Sequence, residues 1–201
     1  RVLAIVGVAG TTETGHIDPL AEMAQVAGEI DAHFHVDAAW GGATLLSNDY
    51  RHLLNGIEQA DSVTIDAHKQ MYVPMGAGMV LFKNPSLVKS IKHHAEYIIR
   101  QGSKDLGSHS MEGSRAGMAM MVFSAMHVIG RRGYELLINN SLKKARYFAQ
   151  LIAEQDDFEV ITEPELCLLT YRFVPTKVKQ AMKTATADQI ERLTPHLNAL
   201  T

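Results

Sequence analysis

The hydrophobic pattern starts at the first residues. Residues 2–9 are almost continuously apolar, and shorter runs of the same kind follow at 34–38, 61–65 and 78–82. Continuous rather than alternating apolar runs, roughly four to eight residues long and bounded by turn residues, mark strands buried on both faces, the habit of parallel sheets. A different period lies between the first two runs: Leu20, Met23, Ala24, Ala27 and Ile30 recur at helical spacing behind Pro19, with Asp18 placed to cap the helix start. A second helix-like stretch carries Leu53, Leu54 and Ile57. Strands alternating with helices predict an α/β fold, an open and mainly parallel sheet with flanking helices.

Beyond Pro85 the pattern loosens. Residues 86–100 begin in helical style and give way to a polar, Gly-containing stretch at 101–113 that reads as a loop, and long loops in compact domains are often functional. Residues 116–129 are strongly apolar and Met-rich (Met118, Met120, Met121, Met126), which reads as adaptable core rather than as a ligand site. Residues 134–155 form an amphipathic pattern with Leu136, Leu137, Leu142, Ala145, Phe148, Leu151 and Ile152 on one side. Strand-like runs at 158–161 and 166–173 and a helical stretch at 187–200 suggest a second, smaller unit, so the chain divides into 1–155 and 156–201.

Composition narrows the function classes. The 201 residues are 46% hydrophobic and 20% charged, ordinary values for a globular protein, and 19 basic against 22 acidic side chains leave a net charge of −3. Nothing here supplies the basic field that nucleic-acid binding needs. No apolar run approaches the roughly 20 residues that span a bilayer. With Cys167 as the single cysteine there is no intrachain disulfide and no cysteine-built metal site, which fits a reducing, cytoplasmic setting. The chain opens with Arg1 directly on a strand pattern, as a piece cut from a longer protein would, so the missing signal peptide carries little weight.

In an open α/β sheet ligands gather at the carboxyl ends of the strands. After the first run, Gly10, Thr11, Thr12, Glu13, Thr14 and Gly15 form either a polar turn or a cradle for an anion. Asp37 ends the second run, where a carboxylate either caps the following segment or needs a cationic partner. Ala39, Gly41 and Gly42 clear space beside it for something flat. The third run delivers Asp66, His68 and Lys69. Lys69 is a solvated lysine or, when partly buried, an amine able to form an imine with a carbonyl compound; His68 is a structural histidine or a catalyst. An acid at one strand end and a lysine at another describe the protein side of a pyridoxal phosphate site, in which the lysine holds the cofactor and the carboxylate keeps its ring nitrogen protonated.

At these residues the sequence resembles the group II pyridoxal-dependent amino acid decarboxylases, the family of glutamate, aromatic amino acid and cysteine sulfinate decarboxylases. The resemblance is carried by AGTTETGHIDPL from Ala9, HVDAAWGG from His35, DSVTIDAHK from Asp61 and GRRGYE from Gly130. It implies the fold type I, aspartate aminotransferase-like architecture, with 1–155 as the C-terminal half of the cofactor-binding large domain and 156–201 as the start of a small α+β domain. It implies pyridoxal 5'-phosphate as cofactor, Lys69 as its imine lysine and Asp37 as the pyridinium partner. Ala39 would pack on the ring face, Thr12 would contact the ring side, and His68 would lie near the imine and phosphate. Asp66 stands where relatives often carry Asn or Ser touching the phosphate, and an acid there needs a partner. Tyr97 matches a loop tyrosine that protonates the substrate's Cα carbanion. Ser114, beside Gly113 and Arg115, matches a segment that reaches the neighbouring subunit's phosphate, which implies a homodimer with shared sites.

The activity so implied is decarboxylation of an L-amino acid to its amine with release of CO2. Trp40, Gly41 and Gly42 follow the members that act on acidic substrates, glutamate or aspartate, whereas aromatic decarboxylases tend to carry Tyr, Ala and Gly. The competing readings are another enzyme of the same fold, an aminotransferase or lyase, and a non-catalytic module. Family members also carry an N-terminal half and a closing C-terminal domain, so weak or absent cofactor binding is expected of the isolated chain.

Overall fold

The computed structural model describes residues 1–91, 102, 106–109 and 116–198. Four strands, β1 (Ala4–Val8), β2 (His33–Asp37), β3 (Ser62–Asp66) and β4 (Gly78–Phe82), form one sheet in the order β1-β2-β3-β4. The first three run parallel, as the apolar runs predict, and β4 is antiparallel to β3. The reversal follows from length: the segment 67–77 is shorter than the dozen or more residues a parallel crossover needs.

β2 does not read as a strand buried on both faces. Phe34 and Val36 are buried, while His33, His35 and Asp37 on the opposite face are half-buried. The apolar face is covered by α1 (Leu20–Glu29), whose Leu20, Met23, Ala24 and Ala27 pack on Ile5, Phe34, Val36 and Val63. Gly7 makes the approach close, since a Cβ there would stand 2.8 Å from Leu20 Cδ2. Asp18 does not cap α1. The chain folds back so that Ile17 bridges Ala9, and the Asp18 carboxylate instead accepts from the Val8 backbone N at 2.7 Å, fastening the end of β1. Between β2 and β3 the chain forms 3-10 turns at Gly41–Leu46, Arg51–Leu54 and Ile57–Gln59 rather than an α-helix. Glycine and Asx residues are frequent there, and Gly56 at φ 100° comes so close to α1 that a Cβ would meet Ala21 N at 2.4 Å.

The long helix α2 (Met118–Ala153) breaks at Gly130 (φ 66°, ψ 169°), so the two helical stretches read from the sequence are two arms. The second arm buries Tyr134, Ile138, Leu142, Ala145, Ala149 and Ile152. The expected stripe was thus partly misplaced: Leu142, Ala145 and Ile152 face inward, but Leu136, Phe148 and Leu151 are exposed. In the first arm, Met118, Val122, Ala125 and Ile129 pack against the core, whereas Met120, Met121 and Met126 are exposed rather than core. Leu142 is fully buried and Leu136 is 62% exposed. In the full-length protein, Leu142→Ala should therefore lower unfolding stability by about 2–5 kcal/mol and Leu136→Ala by under about 0.5 kcal/mol in denaturant titrations. Equal losses would contradict this stripe.

β5 (Phe158–Thr162) and β6 (Thr170–Phe173) form a separate antiparallel pair, followed by α3 (Thr176–Met182), which carries no clear sequence signal, and α4 (Ala187–Asn198). Phe158 and Phe173 lie opposite one another and stack edge to face at 5.4 Å, with Glu159 and Arg172 ion-paired beside them. The β5–β6 connection reaches back over the main sheet. Glu165 pairs with His16 and accepts from Ile17 N at 2.9 Å, and Thr170 Oγ1 donates to Glu13 O at 3.0 Å. Among the described residues no helix is long and apolar enough to cross a membrane.

Candidate active site

Val8, Asp37 and Thr64 lie level across the three parallel strands. The segments that leave those strands therefore open at one edge of the sheet, and they carry Thr12, Asp37, Ala39, Asp66, His68 and Lys69.

Asp37 closes β2. Its Oδ1 accepts from Ala39 N at 3.1 Å, so the capping alternative holds for one oxygen. Among the described residues the other oxygen has no hydrogen-bond partner and no cationic side chain is ion-paired with Asp37. Beyond it the chain hugs β1. Gly41 N donates to Ala9 O at 2.9 Å, and a Cβ at Gly41 would stand 2.3 Å from that oxygen, so only glycine fits.

The Gly10–Gly15 segment is mostly a self-satisfied turn. Gly10 N and Thr11 N donate to His16 O, Gly15 N donates to Thr11 O, and Thr11 Oγ1 pairs with Thr14 Oγ1 at 2.8 Å. Thr12 is left exposed, without a side-chain hydrogen bond among the described residues.

After β3 the chain turns tightly, with Lys69 N donating to Asp66 O at 3.1 Å. This turn brings three candidate side chains together. Lys69 Nζ lies 3.1 Å from Asp66 Oδ2, and His68 Nε2 lies 3.8 Å from the same oxygen. His68 Nδ1 bonds Ala77 O at 3.1 Å. A carbonyl only accepts, so Nδ1 carries a proton and Nε2 is the nitrogen that faces Asp66. Lys69 is neither solvated nor buried: its side chain is 34% exposed.

Lys69 and His68 open onto a cavity of about 400 Å³ whose walls include Trp40, Gln70, Ser141 and Cys167. Gln70 Nε2 donates to Cys167 Sγ at 3.2 Å, while Gln70 Oε1 and Trp40 Nε1 are buried without partners. Burial pushes the Cys167 thiol up, which keeps it protonated and unreactive. Ser141 comes from α2 and Cys167 from the β5–β6 connection, so no local sequence signal could have placed them beside Lys69. A second set was also missed: His33 Nε2 and His35 Nδ1 both bond Ser62 Oγ, at 2.8 and 2.7 Å, and His35 Nε2 meets Thr64 Oγ1 at 3.3 Å. The signal was the His-Phe-His-Val-Asp alternation of β2. Tyr97 and Ser114 lie outside the described residues.

The model of the pyridoxal-dependent decarboxylase conserved domain matches residues 2–174. The aspartate 1-decarboxylase of Aliivibrio fischeri is 70% identical over 201 residues, 100% of this chain and 37% of that protein. An L-2,4-diaminobutyrate decarboxylase of Acinetobacter baumannii is 32% identical over 179 residues, covering 87% of this chain and 35% of its own length. The crystal structure of mouse CSAD superposes with a TM-score of 0.84 at 30% identity, over 96% of this chain and 41% of CSAD. The chain thus spans well under half the length of these relatives, and the match to CSAD, with a mainly parallel sheet and flanking helices, is the fold type I architecture that the motifs imply. A domain model covering most of the chain and a relative at 70% identity over all of it leave one assignment: the chain belongs to the pyridoxal-dependent decarboxylase family.

Proposed function

We propose that the full-length protein is a pyridoxal 5'-phosphate-dependent carboxy-lyase that removes the α-carboxylate of an acidic L-amino acid, with L-aspartate the preferred substrate. The observation that carries this reading is that neighbouring parallel strands end on a carboxylate, Asp37, whose second oxygen has no partner among the described residues, and lead into a half-buried lysine, Lys69. An apolar strand ending in an unpaired acid asks for a cation, and a protonated ring nitrogen is one. Gly41 and Gly42 do not open space, since Ala9 O and Ile65 fill it; the half-buried lysine and the incompletely paired carboxylate are what fit the cofactor.

When bound, the cofactor supplies a pyridinium ring that accepts the electron pair left as CO2 departs. The chain's own residues do the rest. Asp37 holds the proton on the ring nitrogen, and Ala39 N keeps its carboxylate in place. Lys69 Nζ is the amine that carries the cofactor, and Ala39 packs on the ring face. Thr12 would contact the ring side, and His68, anchored on Ala77 O with Nε2 toward Asp66, would lie near Lys69 and the phosphate. Tyr97 protonates the substrate's Cα. By the resemblance, Ser114 would contact the phosphate of a neighbouring subunit, which makes the proposed enzyme a homodimer with shared sites.

In this reading residues 1–155 are the second half of the cofactor-binding domain, 156–201 begin the small domain, and the enzyme works in the cytoplasm. Aspartate is supported by the 70% identity to an aspartate 1-decarboxylase and by Trp40, Gly41 and Gly42.

The test is a substrate panel on the full-length protein supplied with pyridoxal 5'-phosphate. L-Aspartate should release CO2 and 3-aminopropanoate at least about tenfold faster, per kcat/KM, than L-glutamate, L-2,4-diaminobutyrate or L-tyrosine, because a site built for one side chain's polar group leaves that group unpaired with another. Keto-acid production instead of CO2 would indicate an aminotransferase, and a preference for tyrosine would overturn the acidic substrate.

A further inference from the structure

We propose that Asp66 is a shared counter-ion: its Oδ2 holds Lys69 as the ammonium while the lysine is free, and passes to His68 when Nζ moves away to take up a carbonyl group. The inference rests on Lys69 being the cofactor lysine, and it assigns Asp66 and His68 positioning roles beside it.

One oxygen serves two bases, at 3.1 Å from Lys69 Nζ and 3.8 Å from His68 Nε2. The other oxygen, Oδ1, faces Gly78 of β4, where a Cβ would stand 3.1 Å away, so β4 offers it no side-chain partner. Among the described residues Lys69 and His68 are the only cations paired with this carboxylate. The Asp66 side chain is 20% exposed, and water cannot fully compensate it once Lys69 leaves.

His68 is built to respond. Its Nδ1 proton is committed to Ala77 O, so in the neutral ring Nε2 is a lone pair facing a carboxylate, and only the imidazolium meets that carboxylate favourably. Removing Lys69 from Oδ2 leaves His68 Nε2 as its nearest partner, and the short step from 3.8 Å to hydrogen-bond length is open because the partner at 3.1 Å has gone. The other titratable groups on the same cavity wall, among the described residues, are Tyr72 and Cys167. This pairing also explains how an acid is tolerated where relatives often carry Asn or Ser: it enters the site already matched to a cation.

The experiment uses the cofactor-free full-length protein and two readouts that need no turnover. The first is the rate at which trinitrobenzenesulfonate labels Lys69, followed by peptide mass spectrometry with the exposed Lys177 as internal reference. Asp66→Asn should raise that rate roughly two- to five-fold, the scale of a partly exposed ion pair, and Asp66→Glu, which keeps the charge, should restore it. The second is the 15N chemical shift of His68 Nε2 at one fixed pH. Lys69→Met should move it toward the position of a nitrogen hydrogen-bonded to a carboxylate, and the move should be at least halved in the Asp66→Asn background. An unchanged labelling rate, or equal NMR shifts in both backgrounds, overturns the proposal. Attachment of pyridoxal 5'-phosphate at Lys69 is scored separately by borohydride reduction. Attachment without Asp66 dependence refutes the shared counter-ion alone, and Asp66 dependence without attachment refutes the cofactor role of Lys69 alone.

Discussion

Asp37→Ala in the full-length protein should lower kcat for CO2 release by on the order of 10²–10⁴-fold while the cofactor stays attached. The size follows from what the carboxylate does. It is held at the end of an apolar strand by the Ala39 amide at 3.1 Å, which leaves one oxygen without a partner among the described residues. In the proposed role, an anion pre-positioned in that way would stabilise a charge on the ring nitrogen without having to reorganise, and that charge would let the ring accept electrons from Cα. Asp37→Asn separates charge from shape: the amide oxygen can still accept from Ala39 N, so the turn survives, yet the variant should lose nearly as much activity as Asp37→Ala. Single-turnover kinetics at saturating cofactor, with the absorption spectrum recorded alongside, make the measurement. Turnover of the Asn variant within about threefold of the unmodified protein would remove Asp37 from the ring-nitrogen role.

Lys69→Ala should abolish covalent attachment of the cofactor and reduce turnover by on the order of 10³-fold or more. Lys69→Arg is the sharper variant. A guanidinium can still pair with Asp66, which sits 3.1 Å from Nζ, so folding and the turn after β3 are kept. It cannot lose its proton to become a nucleophile, so activity should not return. A Lys69→Arg protein with an unchanged unfolding midpoint and no turnover separates the chemical role from a structural one; substantial turnover would mean that another amine carries the cofactor.

The parts of the fold that were legible in the sequence are those decided locally. β1 to β4 follow from apolar runs, α1 from one clean period of Leu20, Met23, Ala24 and Ala27, and the two arms of α2 from the separate patterns at 116–129 and 134–155. The misread parts depend on tertiary context. Asp18 is a good capping residue by type, but the fold-back at Ile17 brings it against Val8 N, and that amide takes its carboxylate. Leu136, Phe148 and Leu151 are apolar on an amphipathic helix, yet the helix is rotated so that Tyr134, Ile138 and Ala149 face inward. Composition cannot reveal such a rotation when apolar residues lie on both sides.

The candidate site divides in the same way. Asp37 and Lys69 stand out as candidates in the sequence because strand ends collect ligands, with a capping acid and a solvated lysine as the alternatives there. The pairing of Asp66 with both Lys69 and His68 depends on a tight turn whose geometry the residue types do not encode. Ser141 and Cys167 reach the cavity only through the docking of α2 and of the β5–β6 connection.

The most direct measurement is a peptide map. The full-length protein is loaded with pyridoxal 5'-phosphate, reduced with borohydride to fix the lysine–cofactor bond as a secondary amine, digested and analysed by mass spectrometry. One modified lysine is the expected result, Lys69, in the peptide that also contains Asp66 and His68. Modification at any other lysine, or none at all in a protein that still releases CO2, would contradict the assignment of this sheet edge as the catalytic site.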